Sequence, residues 1–255
     1  MSLIIDAVKA TIPQECYAMP LEMVGTFAFL TTVKTRQLGI CMTLSDDRVF
    51  PWHSNNCVRG LGEVHKMNLK DILTWTDSQQ GIERSFAMAA LNSALPYNQK
   101  EFSCGNALKL VEKLGRNKKV AVVGHFPGMD MIRNVAAKFS IIEKRPQEGD
   151  LTAEDAVKVI PESDVVAITG VTCLNDTIEG LLALKKRGAT VVMVGPSVPL
   201  SPALFDFGVD VIGGMHVVDA EQAYICASQG GAPRHLRGVK YALLAKNQKL
   251  LSDID

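Results

Sequence analysis

Five short stretches in the second half of the chain, residues 120–123, 139–143, 165–169, 190–194 and 209–212, are mainly apolar runs. A strand with one wet face alternates apolar with polar residues, whereas one that is apolar on both faces must be covered on both. Helical patterns at 129–138, 153–160, 177–187 and, more weakly, 201–205 fall between these runs. Strands and helices alternating at this spacing, joined by right-handed crossovers, build a doubly wound parallel sheet. The expected fold class is therefore α/β.

The first half has another texture. Residues 1–105 hold six glycines and residues 106–255 hold fourteen, many directly after apolar runs. That shift, with no Pro/Ser-rich linker beside it, predicts two domains, 1–105 and 106–255, joined by a helix at 106–114. Residues 3–11 fit a short amphipathic helix stopped by Pro13. Runs at 24–35 and 38–44, separated by Arg36-Gln37, predict an antiparallel hairpin with a third strand near 49–52. A helix at 69–75 follows, then one that starts after Asp77 or Ser78 and ends before Pro96. Strands first and helices afterwards describe an α+β unit.

Composition narrows the function classes. With 47% hydrophobic and 21% charged residues over 255 positions, the chain buries a sizeable core and is not disordered. Basic and acidic residues number 27 each, 9 against 10 before residue 106 and 18 against 17 after it. Neither half is a basic module, so no nucleic-acid partner is expected. No run approaches the roughly 20 apolar residues of a membrane span. The amino end, MSLIIDAVKATIPQE, lacks the basic and apolar regions of a secretory signal. Six cysteines without a C-x-x-C pair read as reduced thiols, so a cytoplasmic protein is expected. The partner expected is a small molecule; a homodimer is open, since no surface in the sequence identifies an interface.

In an open parallel sheet, ligands bind beyond the carboxyl ends of the strands. There the sequence places Gly124-His125-Phe126-Pro127-Gly128, then Glu143-Lys144-Arg145, then Thr169-Gly170-Val171-Thr172 with Asn175, and finally Gly195-Pro196-Ser197. An imidazole is the side chain best suited to proton transfer near neutral pH, so His125 can act as general acid or base, or it can simply pack the turn. His125 and Phe126 stand where a dinucleotide fingerprint needs small residues, while Glu143 stands where an acid commonly holds a ribose hydroxyl. Thr169, Thr172, Asn175 and Ser197 suit a polar ligand, or serve as turn and helix caps. Asn92 interrupts the apolar segment AMAALNSAL, where a buried amide needs partners. Asn106 is either the cap of the connecting helix or a group presented at the junction. His53 and Cys57 have i,i+4 spacing without a second ligand pair, so no structural metal site is expected. Asp219 is expected to cap a helix at 220–228.

Taken together, AMAALNSALPY, SCGNAL, KVAVVGHFPGM, VVAITGVTCLNDTIEGLL and VVMVGPSVPLSPALFDFGVDVIGG resemble the heavy-metal chelation domain family of prokaryotic proteins over essentially the whole chain. The resemblance implies an enolase-N-terminal-like α+β domain followed by a Rossmann-like domain, with an interdomain active site. It also implies a condensation or hydrolysis step in making a flavin-, pterin- or siderophore-like chelator, with no cofactor assigned. Asn92 and Asn106 would come from the first domain's side, and His125, Thr169, Thr172 and Ser197 from the second. Catalysis would rest on His125, Asn92, Asn106 and Thr172. Gly124, Phe126, Glu143, Thr169, Gly170, Asn175, Gly195 and Ser197 would surround the ligand. Two other readings stay open: a binding protein for a metal or metal chelate, in which His53, Cys57 and His65 matter more, and S-adenosylmethionine-dependent methyl transfer.

Overall fold

A computed structural model of the chain describes residues 2–44, 58–96 and 101–252. The strand expected near 49–52 and the pair His53 and Cys57 lie outside the described residues.

Helix α1 (Leu3–Lys9) opens the chain, capped by Ser2, whose side chain accepts from the Ile5 N–H. Three antiparallel strands follow in the order β1-β2-β3: β1 (Glu22–Thr26), β2 (Leu30–Lys34) and β3 (Leu38–Met42). The run expected at 24–35 is thus two strands, divided where Phe27 N bonds back to Leu30 O. Helix α2 (Leu69–Leu73) is capped by Asn68, and its last turn tightens into a 3-10 turn at Thr74–Asp77. Helix α3 (Gly81–Ala94) is buried almost all round and covers β2 and β3. It begins at Gly81, later than expected: the Ser78 hydroxyl accepts from Gln80 N at 3.1 Å in the turn before the helix and donates to the Glu83 carboxylate at 2.6 Å.

The second half forms a seven-stranded sheet. Helix α4 (Ala107–Gly115) leads into β4 (Lys119–Val123), α5 (Asp130–Arg133), β5 (Lys138–Glu143), β6 (Leu151–Thr152), α6 (Ala156–Val159), β7 (Val165–Thr169), α7 (Ile178–Ala183), β8 (Thr190–Val194), β9 (Val211–Val217), α8 (Ala220–Ser228) and β10 (Val239–Ala245). Across the sheet the order is β6-β5-β4-β7-β8-β9-β10, all parallel except β10. The chain starts in the middle, moves out through β5 and β6, then returns past β4 to β7. Strand order therefore reverses between β4 and β7, where such sheets open a crevice at their carboxyl ends. The expected α/β class, a mostly parallel sheet with a smaller antiparallel one, is the observed one.

Local departures have identifiable causes. The helix expected at 129–138 shrinks to α5 because the following backbone is drawn into pairing: Asn117 N bonds Val135 O and Ala137 N bonds Lys118 O. The strand expected at 209–212 runs on to Val217, since Gly213 and Gly214 leave room for Ala107 and Leu200 to press against the sheet. Helix α8 and its cap Asp219, which accepts from Gln222 N at 3.1 Å, lie where expected.

The two sheets share one continuous apolar core, in which Cys41, Phe86 and Leu91 belong to the same cluster as Ile168, Leu174 and Val198. Polar ties flank it. Met42 N donates to Ser197 Oγ at 2.9 Å, and Arg84 donates to Leu174 O at 2.9 Å and pairs with Asp176 at 2.6 Å. The amino terminus docks on the second half as well: the Glu179 carboxylate accepts from Ser2 Oγ at 2.8 Å and Ile4 N at 3.0 Å. The small sheet and α3 thereby sit against the carboxyl edge of the large sheet at the turns that follow β7 and β8.

Candidate functional site

At the reversal point, β4 ends in Gly124 with φ +103°, a left-handed conformation that suits glycine. A Cβ there would stand 3.0 Å from Thr169 Cβ, so the ends of β4 and β7 nearly touch. The turn this permits lifts His125 to the surface, its side chain 38% exposed, and folds Phe126 back against the core. His125 Nδ1 lies 3.3 Å from Asp150 Oδ2, and the Asp150 side chain is 3% exposed. Asp150 stands at the end of the loop leaving β5, where it also accepts from Gln147 N at 3.0 Å. A buried carboxylate facing Nδ1 favours the tautomer with hydrogen on that nitrogen and turns Nε2 outward as an acceptor. Asp150 was not among the residues expected at the site. Its position just before a two-residue strand carries no pattern, and the only available signal was an acid closing a Gly-containing polar loop.

The other residues fall into groups. Glu143, at the end of β5, bends its carboxylate back onto its own turn and accepts from Lys144 N at 2.7 Å and Arg145 N at 3.4 Å. Thr169 Oγ1 accepts from Val171 N at 3.4 Å, and the Thr172 hydroxyl donates to Thr169 O at 2.6 Å. Gly170 lets two turns meet backbone to backbone, since a Cβ there would lie 2.5 Å from Val198 N. Ser197 is 1% exposed and Thr172 3%, so both hydroxyls are enclosed between the sheets. Asn175 Oδ1 accepts from Thr177 N at 3.3 Å and from its hydroxyl at 2.6 Å; Thr177, rather than Asn175, stands at the cap position of α7. Gly195 turns the chain out of β8, and its N–H bonds Gly213 O at 2.9 Å.

The two asparagines do not converge on His125. Asn106 caps α4, accepting from Leu108 N at 2.8 Å, and the next residue packs on Gly213 beside the end of β8. Asn92 Nδ2 donates to Ile40 O at 3.1 Å, while its Oδ1 is buried without a partner among the described residues. Asn92 also lines a cavity of about 10 Å³, together with Ile40, Leu95, Val198, Leu200 and Met215 among others. The space is about that of one water, and His125 is not among its walls. The structure thus brings Gly124, His125, Phe126 and Thr169 together at the reversal point. Gly170, Thr172 and Ser197 form a second, enclosed group nearer Asn92.

Among the described residues, no three His, Cys, Asp or Glu side chains gather into a metal-holding group, and no helix is long and apolar enough to cross a membrane. Cys16, Cys41, Cys104, Cys173 and Cys226 are free thiols.

Residues 106–244 match the model of the DUF364 family, described as "Putative heavy-metal chelation", and residues 12–95 match that of DUF4213, which carries the same description. The chain belongs to the DUF364 family. This DUF364 member is 30% identical over 198 residues to an uncharacterized protein of Methanocaldococcus jannaschii, covering 74% of each chain. Its fold matches the crystal structure of a DUF364 protein of unknown function from Desulfitobacterium hafniense, with a TM-score of 0.79 at 21% identity over 95% of this chain and 98% of that one. A second DUF364 protein of unknown function, from Pyrococcus horikoshii, gives 0.75 at 18% identity, over 95% of this chain and all of the other.

Proposed function

We propose that this DUF364 member is a cytoplasmic enzyme that binds a small polar, heterocyclic or nucleotide-like molecule at the carboxyl edge of the seven-stranded sheet. His125 acts there as general acid or base, held in its working tautomer by Asp150. The observation that carries this reading is the His125–Asp150 contact: a half-exposed imidazole backed by an enclosed carboxylate, at the point where strand order reverses. At 3.3 Å the contact is long for a hydrogen bond, as catalytic pairs often are before a ligand tightens them. Phe126, partly buried beside Gly124, would form an apolar wall for the ligand, and Glu143 stands one strand away for a sugar hydroxyl or ring N–H. The family description fits a condensation or hydrolysis step in the synthesis of a metal chelator. Such an enzyme has no need to hold the metal itself.

The test is a thermal-shift screen of the purified chain against flavins, pterins, nucleosides, S-adenosylmethionine and soft divalent cations, followed by turnover assays on whatever stabilises it. A heterocyclic or nucleotide-like ligand is expected, with turnover lowered about 10²–10⁴-fold in His125→Ala. Turnover within about threefold of wild type in that variant, far below this range, contradicts the proton-transfer role. Stoichiometric binding of a soft cation, lost in Cys57→Ser, makes the protein a metal carrier instead. A shift with S-adenosylmethionine alone favours methyl transfer.

A further inference from the structure

The opposite edge of the large sheet carries a second feature. A cavity of about 110 Å³ opens at the amino ends of β4 and β5, against α6 and the 3-10 turn that follows it, lined among others by Lys119, Lys138, Lys158, Ser140, Ser163 and Glu162. It is several times the roughly 10–15 Å³ that a single water occupies on this measure. Three lysines from three different elements, β4, β5 and α6, line it. Lys119 meets Glu162 at 3.3 Å, with both side chains about half exposed, an arrangement that contributes little. Among the described residues, Lys138 and Lys158 meet no carboxylate at all. The nearby acid Asp164 is already engaged, accepting from Lys186 at 2.6 Å and from Lys119 N at 2.9 Å, with its carboxyl held below the usual range by those bonds.

Three like charges around one concavity repel one another unless a counter-charge enters it. Against the single carboxylate of Glu162 they leave a surplus of two, which matches a dianion. Hydroxyls complete the lining: Ser163 already donates its proton to Val159 O at 2.8 Å, while the Ser140 hydroxyl has no partner among the described residues and can donate.

We infer that this cavity binds a phosphate group, free or carried by a small molecule, through Lys119, Lys138, Lys158 and Ser140. The site is independent of the chemistry proposed at His125, which stands at the other end of the same strand. The probes are inorganic phosphate and adenosine monophosphate, titrated into the full chain by calorimetry at constant ionic strength. One or both bind saturably with a Kd of about 1 mM or tighter. Binding weakens at least tenfold in the Lys138→Gln/Lys158→Gln variant, whose exposed substitutions leave thermal unfolding unchanged, and it persists in His125→Ala. Binding of the free anion alone assigns the site to phosphate; binding of the nucleotide alone assigns it to a phosphorylated small molecule. Absence of saturable binding by either probe, or binding undiminished in the double variant, overturns the inference.

Discussion

The backbone N–H of Met42 donates to Ser197 Oγ over 2.9 Å, so the last strand of the small sheet is fastened to the turn that leaves β8. Ser197 is 1% exposed, and water cannot replace it readily. Ser197→Ala leaves that N–H unsatisfied and is expected to cost about 1–3 kcal/mol. For a chain of this size each kcal/mol lowers Tm by roughly 2–4 °C. Calorimetric melting of the variant checks it; an unchanged Tm shows that the tie contributes nothing.

Glu83 gives the fold an acid-sensitive clasp. Its carboxylate, 1% exposed, accepts from Arg59 N at 2.8 Å, from the Arg59 guanidinium at 2.8 Å and from Ser78 at 2.6 Å. Burial pushes its pKa up, but the bonds from Arg59 and Ser78 outweigh burial and hold it below the usual value. A carboxyl with a depressed folded pKa stabilises above its unfolded value, about 4.3, and that contribution is lost as pH falls through the folded value. Glu83→Gln is therefore expected to lower stability at pH 7 by about 1–3 kcal/mol. The gap between variant and wild type closes as pH drops below about 4. Urea unfolding at both pH values measures this; a gap that stays constant with pH removes the clasp from the account.

Thiol reactivity should follow burial. Cys41 is enclosed and donates to Ser85 O at 3.0 Å, and burial pushes its thiol far up. Cys173 is pushed up to about 12 by burial, with the Asp176 charge adding to it. Cys104 is exposed. Because the thiolate is the reactive form, a maleimide is expected to label Cys104 in the native protein and Cys41 and Cys173 only after unfolding. Peptide mapping by mass spectrometry reads the order, and native labelling of Cys41 at the rate of Cys104 refutes it.

Asp150 should set the His125 tautomer. Long-range proton–nitrogen spectra of the neutral imidazole are expected to show hydrogen on Nδ1 in the wild type, and a shift toward Nε2–H in Asp150→Ala. The same tautomer in both proteins means the carboxylate does not orient the ring.

The large sheet was legible because β4, β7 and β8 are apolar on both faces, a pattern that water does not permit on an edge. The short helices were less so. At 129–138 the helical period is present, but bonds from Asn117 and Ala137 to distant backbone override it. Strand β10 went unread, since its antiparallel entry at Gly238 breaks the alternation of strand and helix. At the site, sequence placed Gly124, His125 and Thr169 at strand ends, where they are found. It could not bring Asp150 beside His125, because that contact depends on how the 144–150 loop folds back. The buried amide of Asn92 was expected to need partners; its Nδ2 bonds Ile40 O, and its Oδ1 has none among the described residues. Asn92 shares its cavity with Val198 and Leu200 rather than with the His125 turn.

The central claim is that chemistry occurs where β4 and β7 part, under His125. A crystal structure of the full chain with the ligand that most raises its Tm tests it most directly. Ligand density is expected beyond the carboxyl end of β4, with a polar atom within about 3.2 Å of His125 Nε2. Density seated elsewhere, with His125 facing only solvent, contradicts it.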